Sequence, residues 1–170
     1  MTEIINRVAN SPIVTIDLED YYIKGERVAF DLKDYLFQGL VLKEKDYRGA
    51  LKNLDWEQYR GKYVAVFCSV DAIVPTWAYM LAVTYLKGEA SEVIIGDMEA
   101  LEQYLFAKSL RSIDPAEYKD RPVVVKGCSN LPVPLFAYGE IVKLFQDEAK
   151  SIMYGEPCST VPLYKKPKRV

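Results

Sequence analysis

The pattern of hydrophobic and polar positions changes every few residues in the first third of the chain. Val14, Ile16 and Leu18 alternate with polar residues, which is typical of a half-buried strand. Val28 and Phe30 indicate a second, shorter strand. Helical spacing predicts short helices over residues 2–9, 31–37 and 43–53. We therefore expect residues 1–60 to form an irregular N-terminal layer.

Strands and helices alternate regularly after residue 60. Apolar runs predict strands over Tyr63–Phe67, Glu92–Asp97 and Pro122–Lys126, and the first of these has the continuous pattern of a strand buried on both faces. Apolar residues at helical spacing predict helices that cover the ranges Pro75–Leu86, Met98–Ser109 and Pro134–Ile152. We find no repeat longer than a tripeptide.

This alternation predicts an α/β fold, a three-layer sandwich with a central, mostly parallel sheet. We expect the three strands in the order second-first-third, with antiparallel edge strands added by the N-terminal strand or the final segment. A chain of 170 residues is typical of one domain. The prediction is a single domain over 1–170, with a βαβαβα core at 61–152 and a C-terminal loop and basic tail at 153–170.

Charge and hydropathy exclude several classes of protein. The formal net charge is −2, and neither a basic stripe nor a glycine-rich phosphate loop is present, so we expect no nucleic-acid partner. The sequence contains no signal peptide and no apolar stretch of the roughly 20 residues that a membrane span needs, so we expect a cytoplasmic protein without a membrane contact. The basic segment Lys165–Arg169 is either a solubilising end or a docking tail for an acidic partner.

The chain contains no histidine, which limits the chemistry available to it. Ser-His-Asp and Cys-His nucleophile systems in their usual form are excluded, as are the common histidine sites for zinc and iron. Proton transfer near neutral pH would need a carboxylate, a lysine or a cysteine with a shifted pKa.

The three cysteines share one local pattern, because each is followed by serine and, a few residues later, by proline. The three pairs are Cys68-Ser69, Cys128-Ser129 and Cys158-Ser159. Cys68 and Cys128 follow predicted parallel strands and precede helices, at the edge where open α/β sheets bind ligands. The expected strand order makes these two strands neighbours, and a helix N-terminus favours the thiolate form. Cys158 would reach the same edge if the C-terminal loop folds back.

Three thiolates would suit zinc, another soft metal or three corners of an iron–sulfur cluster. Asp71 is a candidate fourth ligand, and the hydroxyls of Ser69, Ser129 and Ser159 are candidates for hydrogen bonds to the sulfurs. Three alternatives stay open. The cysteines are inert packing residues; or Cys68 alone is a nucleophile for sulfur or acyl transfer; or the chain is a tyrosine-rich interaction module that forms a homodimer or joins an assembly complex.

Five phrases of the sequence together resemble an uncharacterised bacterial family, the domain of unknown function numbered 2480. They are DLEDY at 17–21, FDLKD at 30–34, LKEKD at 42–46, VDAIVPTWAYM at 70–80 and SIMYGEPCSTVPLYK at 151–165. The resemblance covers nearly the whole chain. It implies no established activity and so transfers no catalytic residue. It also implies iron–sulfur assembly proteins as partners, because genes for such proteins often lie beside those of the family.

Overall fold

The computed structural model describes residues 12–127 and 130–167, and these residues form nine strands and four α-helices. The predicted helix over residues 2–9 lies outside them. The strands are β1 (Val14–Asp17), β2 (Arg27–Asp31), β3 (Leu36–Phe37), β4 (Val41–Leu42), β5 (Tyr63–Phe67), β6 (Glu92–Ile95), β7 (Pro122–Lys126), β8 (Ser151–Glu156) and β9 (Ser159–Lys165). The helices are α1 (Glu44–Asn53), α2 (Thr76–Leu86), α3 (Met98–Leu110) and α4 (Leu135–Phe145).

The chain divides into two compact units. The continuous unit is Lys24–Tyr104, and the split unit joins the residues up to Ile23 to those from Leu105 onward. The α/β class with mostly parallel strands is confirmed, and β9 is the expected antiparallel edge strand. The single domain over 1–170 stays a prediction.

The continuous unit contains a three-stranded parallel sheet in the order β2-β5-β6. The central strand β5 buries Val64, Ala65 and Val66 completely, as expected for a strand covered on both faces. Helix α2 packs against β5 and β6, and its Ala78 and Ala82 are fully buried. The short antiparallel pair β3–β4 and helix α1 complete this unit.

The split unit has a four-stranded sheet in the order β1-β7-β8-β9. Strands β1, β7 and β8 are parallel, and β9 pairs antiparallel with β8. The central strand β7 buries Val123, Val124 and Val125. Its core also contains Ile141 and Phe145 of α4, both fully buried.

The two units repeat one arrangement at a constant spacing of 59 residues. Strand β5 begins at Tyr63 and β7 at Pro122, and α2 with α4 and β6 with β8 keep the same spacing. Backbone hydrogen bonds repeat as well: Gly61 N donates to Glu89 O at 3.0 Å, and Asp120 N donates to Glu148 O at 2.9 Å. Residues identical at this spacing include Asp55/Asp114, Tyr59/Tyr118, Val64/Val123, Val66/Val125, Pro75/Pro134, Ala78/Ala137, Tyr79/Tyr138 and Gly96/Gly155. The identities are scattered, so no contiguous repeat in the sequence marks this arrangement.

Aspartate begins each of the four 3₁₀ turns within the described residues. The carboxylates of Asp17, Asp31, Asp55 and Asp114 each accept a hydrogen bond at 3.0 Å from the backbone N–H two residues later. A short acidic side chain satisfies an N–H group that has no partner within the turn.

Three sequence predictions need correction. The predicted helix over Pro134–Ile152 ends at Phe145, because the following apolar residues form β8 alongside β7. The predicted C-terminal loop forms the β8–β9 hairpin instead. The strand order second-first-third is wrong, since β5 and β7 belong to different sheets. A strand has only two edges, and those of β7 pair with β1 and β8.

Candidate functional site

A pocket of about 670 Å³ lies at the carboxyl edge of the sheet in the continuous unit. Its lining residues come from the ends of β5 and β6, the segments that follow them, and α2: Val66, Phe67, Cys68, Ser69, Tyr79, Ile95, Gly96 and Asp97. Cys68 directly follows β5, as the sequence predicted. Parallel α/β sheets bind ligands at this edge, and Cys68 is the soft nucleophilic group in the lining.

The Cys68 side chain is half-buried. Its Sγ donates a hydrogen bond to the carbonyl oxygen of Val70 at 3.4 Å. The apolar side of Cys68 packs against the core cluster of the continuous unit, which contains Val66 and Ala78. The thiol is therefore fixed in place at the rim of the pocket and is still open to a ligand.

Asp31, the last residue of β2, holds the loop that follows Cys68. Its Oδ1 accepts hydrogen bonds from Ser69 N at 3.1 Å and from Lys33 N at 3.0 Å. Burial by itself raises the pKa of Asp31, but the hydrogen bonds from Ser69 and Lys33 outweigh it, and the pKa lies below its ordinary value. The carboxylate is thus ionised at neutral pH and anchors Ser69.

Tyr79 contributes the phenol of the pocket from the first turns of α2. Burial raises its pKa, and the negative charges that Cys68 and Asp31 carry when ionised raise it further. The hydroxyl therefore keeps its proton at neutral pH and is a hydrogen-bond donor to a bound ligand.

Gly96 and Asp97 form the far side of the pocket, between β6 and α3. Gly96 has φ +156°, and a Cβ there would lie 2.9 Å from Ala100 Cβ and 3.0 Å from Ile94 Cδ1. Glycine is required at this close approach. Asp97 Oδ1 accepts a hydrogen bond from Ala100 N at 2.8 Å and so caps the first turn of α3.

The structure places the predicted site residues at different positions. Cys68 and Ser69 line the pocket, whereas Asp71 is exposed and does not line it. Cys158 is exposed in the turn between β8 and β9, and Ser159 begins β9. Cys128 and Ser129 lie outside the described residues. The sequence predicted that Cys68 and Cys128 follow neighbouring strands. The strands that precede them, β5 and β7, belong to different sheets and are not neighbours.

A bound metal ion needs several ligating side chains close together. Within 12–127 and 130–167, no three Cys, Asp or Glu side chains are grouped so that they could hold a metal ion. The three-cysteine metal centre includes Cys128, which is outside this range, and it stays a prediction.

Sequence reasoning missed Asp31, Tyr79, Gly96 and Asp97 as site residues. In the sequence, Asp31 has no pattern that separates it from the other acidic residues of the first third, and Tyr79 is one of 13 tyrosines. A signal was available, because Tyr79 and Gly96 recur 59 residues later as Tyr138 and Gly155. The pocket itself depends on strand order, which the sequence pattern did not give.

The carboxyl edge of the split unit has related residues with a different charge arrangement. Lys126, at the end of β7, forms ion pairs with Asp17 at 3.1 Å and with Glu156 at 3.9 Å. Glu19 Oε1 accepts hydrogen bonds from Asn130 N at 3.0 Å and Leu131 N at 3.1 Å. In each unit a carboxylate from the N-terminal strand or the turn after it thus holds the loop after the central strand.

The fold and the pocket together define an α/β protein with a thiol at the carboxyl edge of a parallel sheet. The chain belongs to the DUF2480 family, described as a protein of unknown function, whose model matches residues 2–166. This confirms the resemblance seen in the sequence. Neither a curated protein nor a solved structure matches the chain. No helix within the described ranges has the length and apolar character of a membrane span.

Proposed function

We propose that this protein handles a small ligand at the continuous-unit pocket and that Cys68 is the group that reacts with it or ligates it. The single observation that carries the proposal is the position of Cys68 at the rim of a 670 Å³ pocket, beside the protonated phenol of Tyr79. Thiol chemistry of this kind includes transfer of a sulfur atom or an acyl group and binding of a soft metal.

Three features support a working thiol over an inert one. The side chain is half-buried, so a ligand can reach the sulfur. Asp31 fixes the backbone of Ser69, which keeps the loop next to the sulfur in one conformation. Tyr79 supplies a proton donor in the same pocket. Preorganised groups of this kind lower the cost of binding and reaction.

The proposal includes a cellular role in sulfur metabolism, as the sequence predicted. In the cytoplasm the thiol would stay reduced, and iron–sulfur assembly proteins would be the partners. Zinc or an iron–sulfur cluster at Cys68, Cys128 and Cys158 is the metal form of this proposal. It requires Cys128 and Cys158 as ligands, whereas the small-molecule form requires Cys68 alone.

Site-resolved alkylation tests the proposal. We expect Cys68 to react with iodoacetamide at a rate that falls at least threefold in Tyr79→Phe and in Asp31→Asn, while exposed Cys158 keeps its rate in both variants. Peptide mass spectrometry would measure each thiol separately. A Cys68 that stays unmodified while the protein is folded would refute a working thiol at this position.

Cobalt(II) titration of the anaerobically purified protein separates the two forms of the proposal. A metal centre gives sulfur-to-cobalt absorption that disappears in each of Cys68→Ser, Cys128→Ser and Cys158→Ser. Absorption that is absent in the wild-type protein, together with rapid alkylation of Cys68, would leave only the small-molecule form.

A further inference from the structure

In the split unit a lysine ammonium lies between two carboxylates. Lys126 Nζ is 3.1 Å from Asp17 Oδ2 and 3.9 Å from Glu156 Oε1. The side chains of Lys126 and Asp17 are only 27% and 20% exposed, so water screens this pair less than it screens a surface ion pair. The carboxyl edge of the split unit therefore contains a cation supplied by the chain itself.

The continuous unit keeps both carboxylates but not the lysine. Asp17 lies opposite Lys126 in the β1–β7 register, and Asp31 lies opposite Phe67 in the β2–β5 register. Phe67 and Lys126 are 59 residues apart, and so are Asp97 and Glu156. Asp31 thus corresponds to Asp17, and Asp97 corresponds to Glu156. Where the split unit has the Lys126 ammonium, the continuous unit has a pocket lined by Phe67 and Asp97.

The pocket has no basic residue in its lining. Asp97 makes no ion pair within 4.0 Å in the portion of the chain that the structure covers, and its carboxylate accepts the cap hydrogen bond from Ala100 N. Asp31 adjoins the pocket through Ser69, whose backbone it holds, and is not itself in the lining. Its Oδ2 lies 3.4 Å from Lys33 Nζ, but the Lys33 side chain is 47% exposed, so it compensates the charge of Asp31 only in part. The charged side chains at this end of the sheet are thus mainly acidic, and they favour a cation over an anion.

We propose that this pocket selects ligands that carry an ammonium or guanidinium group, which binds between Asp31 and Asp97 as Lys126 does between its two carboxylates. The aromatic face of Phe67 adds a favourable surface for such a cation. This cation selectivity depends on the proposed function in one respect, namely that Cys68 is the reactive or ligating group of the pocket. Together they name the ligand class as amine-bearing disulfides or thioesters, which exchange with the thiolate of Cys68 and release a thiol.

Paired reagents that differ only in charge test this selectivity. The two probes are 2-aminoethyl methanethiosulfonate, a cation, and 2-sulfonatoethyl methanethiosulfonate, an anion. Each transfers its alkylthio group to the cysteine sulfur as a disulfide and releases methanesulfinate. The ratio of the two rates at Cys68 in the full chain is divided by the ratio for N-acetylcysteinamide, which removes the intrinsic difference between the reagents.

We expect the corrected ratio to favour the cation at least tenfold at low ionic strength and to decrease towards one in 1 M salt, where charges are screened within about 3 Å. Asp97→Asn should remove most of the preference, since asparagine keeps an oxygen for the cap on α3 but loses the charge. Glu99→Gln is the matched control: it removes the same charge two residues away, at a position outside the pocket lining, and should keep the preference.

The outcomes separate this inference from the proposed function. Fast modification of Cys68 at equal corrected rates would overturn the cation selectivity and leave the thiol site intact. If Cys68 resists both reagents, the thiol proposal fails, and NMR titration with n-butylammonium and with butyrate decides the ligand class. Shifts of the Gly96 and Asp97 amides with n-butylammonium alone would support the inference, and shifts with neither probe would overturn it.

Discussion

Asp31 connects the end of β2 to the loop that carries the candidate thiol, and its removal gives a quantitative test of that arrangement. The carboxylate accepts two backbone hydrogen bonds, from Lys33 N within its own turn and from Ser69 N across the sheet edge. Its side chain is 12% exposed. Asp31→Ala removes the acceptor of both bonds and leaves two N–H groups without this partner.

The expected cost can be built up bond by bond. Loss of the cap on Lys33 N costs about 1 kcal/mol. Loss of the charge-assisted bond from Ser69 N, which is part of a loop that must then reorder, costs about 1.5 kcal/mol. We therefore expect Asp31→Ala to lower the free energy of unfolding by about 2–3 kcal/mol at neutral pH. Urea denaturation followed by tryptophan fluorescence measures this change.

Asp55→Ala is the matched control for the turn alone. Asp55 begins an equivalent 3₁₀ turn, but among the described residues its carboxylate accepts only from Glu57 N. Its removal should cost about 1 kcal/mol, and the difference between the two variants isolates the Ser69 bond. Equal costs for the two variants, together with an unchanged alkylation rate at Cys68, would refute the anchoring role of Asp31.

The same substitution has a defined dependence on pH. The pKa of Asp31 is lowered in the folded protein, so its stabilisation is fully present above the unfolded value of about 3.9. It is lost as the pH falls through the lower, folded pKa. The stability difference between wild type and Asp31→Ala should therefore be constant from pH 5 to 7 and should narrow below about pH 4.

Three further predictions concern other parts of the two units. Lys126→Met should lower the free energy of unfolding by about 1–3 kcal/mol, because it leaves the partly buried carboxylate of Asp17 without its cation, and urea denaturation would detect this loss. Glu102→Gln should cost about 2 kcal/mol, because Arg27 is only 10% exposed and donates to both oxygens of that carboxylate, and a shift in thermal midpoint measures it. Gly155→Ala should increase hydrogen exchange in β9 without altering α2, since φ is +121° and the added Cβ would lie 2.6 Å from a backbone oxygen. Unchanged stability or exchange in any of these variants would contradict the corresponding contact.

Most secondary structure could be predicted because it depends on local spacing. The predicted helix over Pro75–Leu86 matches α2 to within one residue, and the predicted strand Tyr63–Phe67 matches β5. The predicted helix over Pro134–Ile152 was too long. Apolar residues at its end fit a helical face and a buried strand equally well, and only pairing with β7 decides for β8.

The candidate site was predictable in part for the same reason. That Cys68 follows a buried parallel strand is a local statement, and it is confirmed. Which residues join Cys68 depends on which strands are neighbours. Asp31 reaches Ser69 because β2 pairs with β5, and 37 residues of intervening sequence contain no signal of that pairing.

The sequence by itself determined the α/β class, the family, the helical and extended segments, and the place of Cys68 at a strand end. Each of these depends on residues close together in the chain or on recognisable phrases. Only the tertiary structure decided that β5 and β7 belong to different sheets, that the two units repeat one plan, that Tyr79 and Asp97 line one pocket with the thiol, and that Asp31 holds Ser69 beside it. The physical reason is that strands pair through backbone hydrogen bonds, and every residue except proline offers the same N–H and C=O groups. The choice of partner strand therefore depends on the packing of the whole fold.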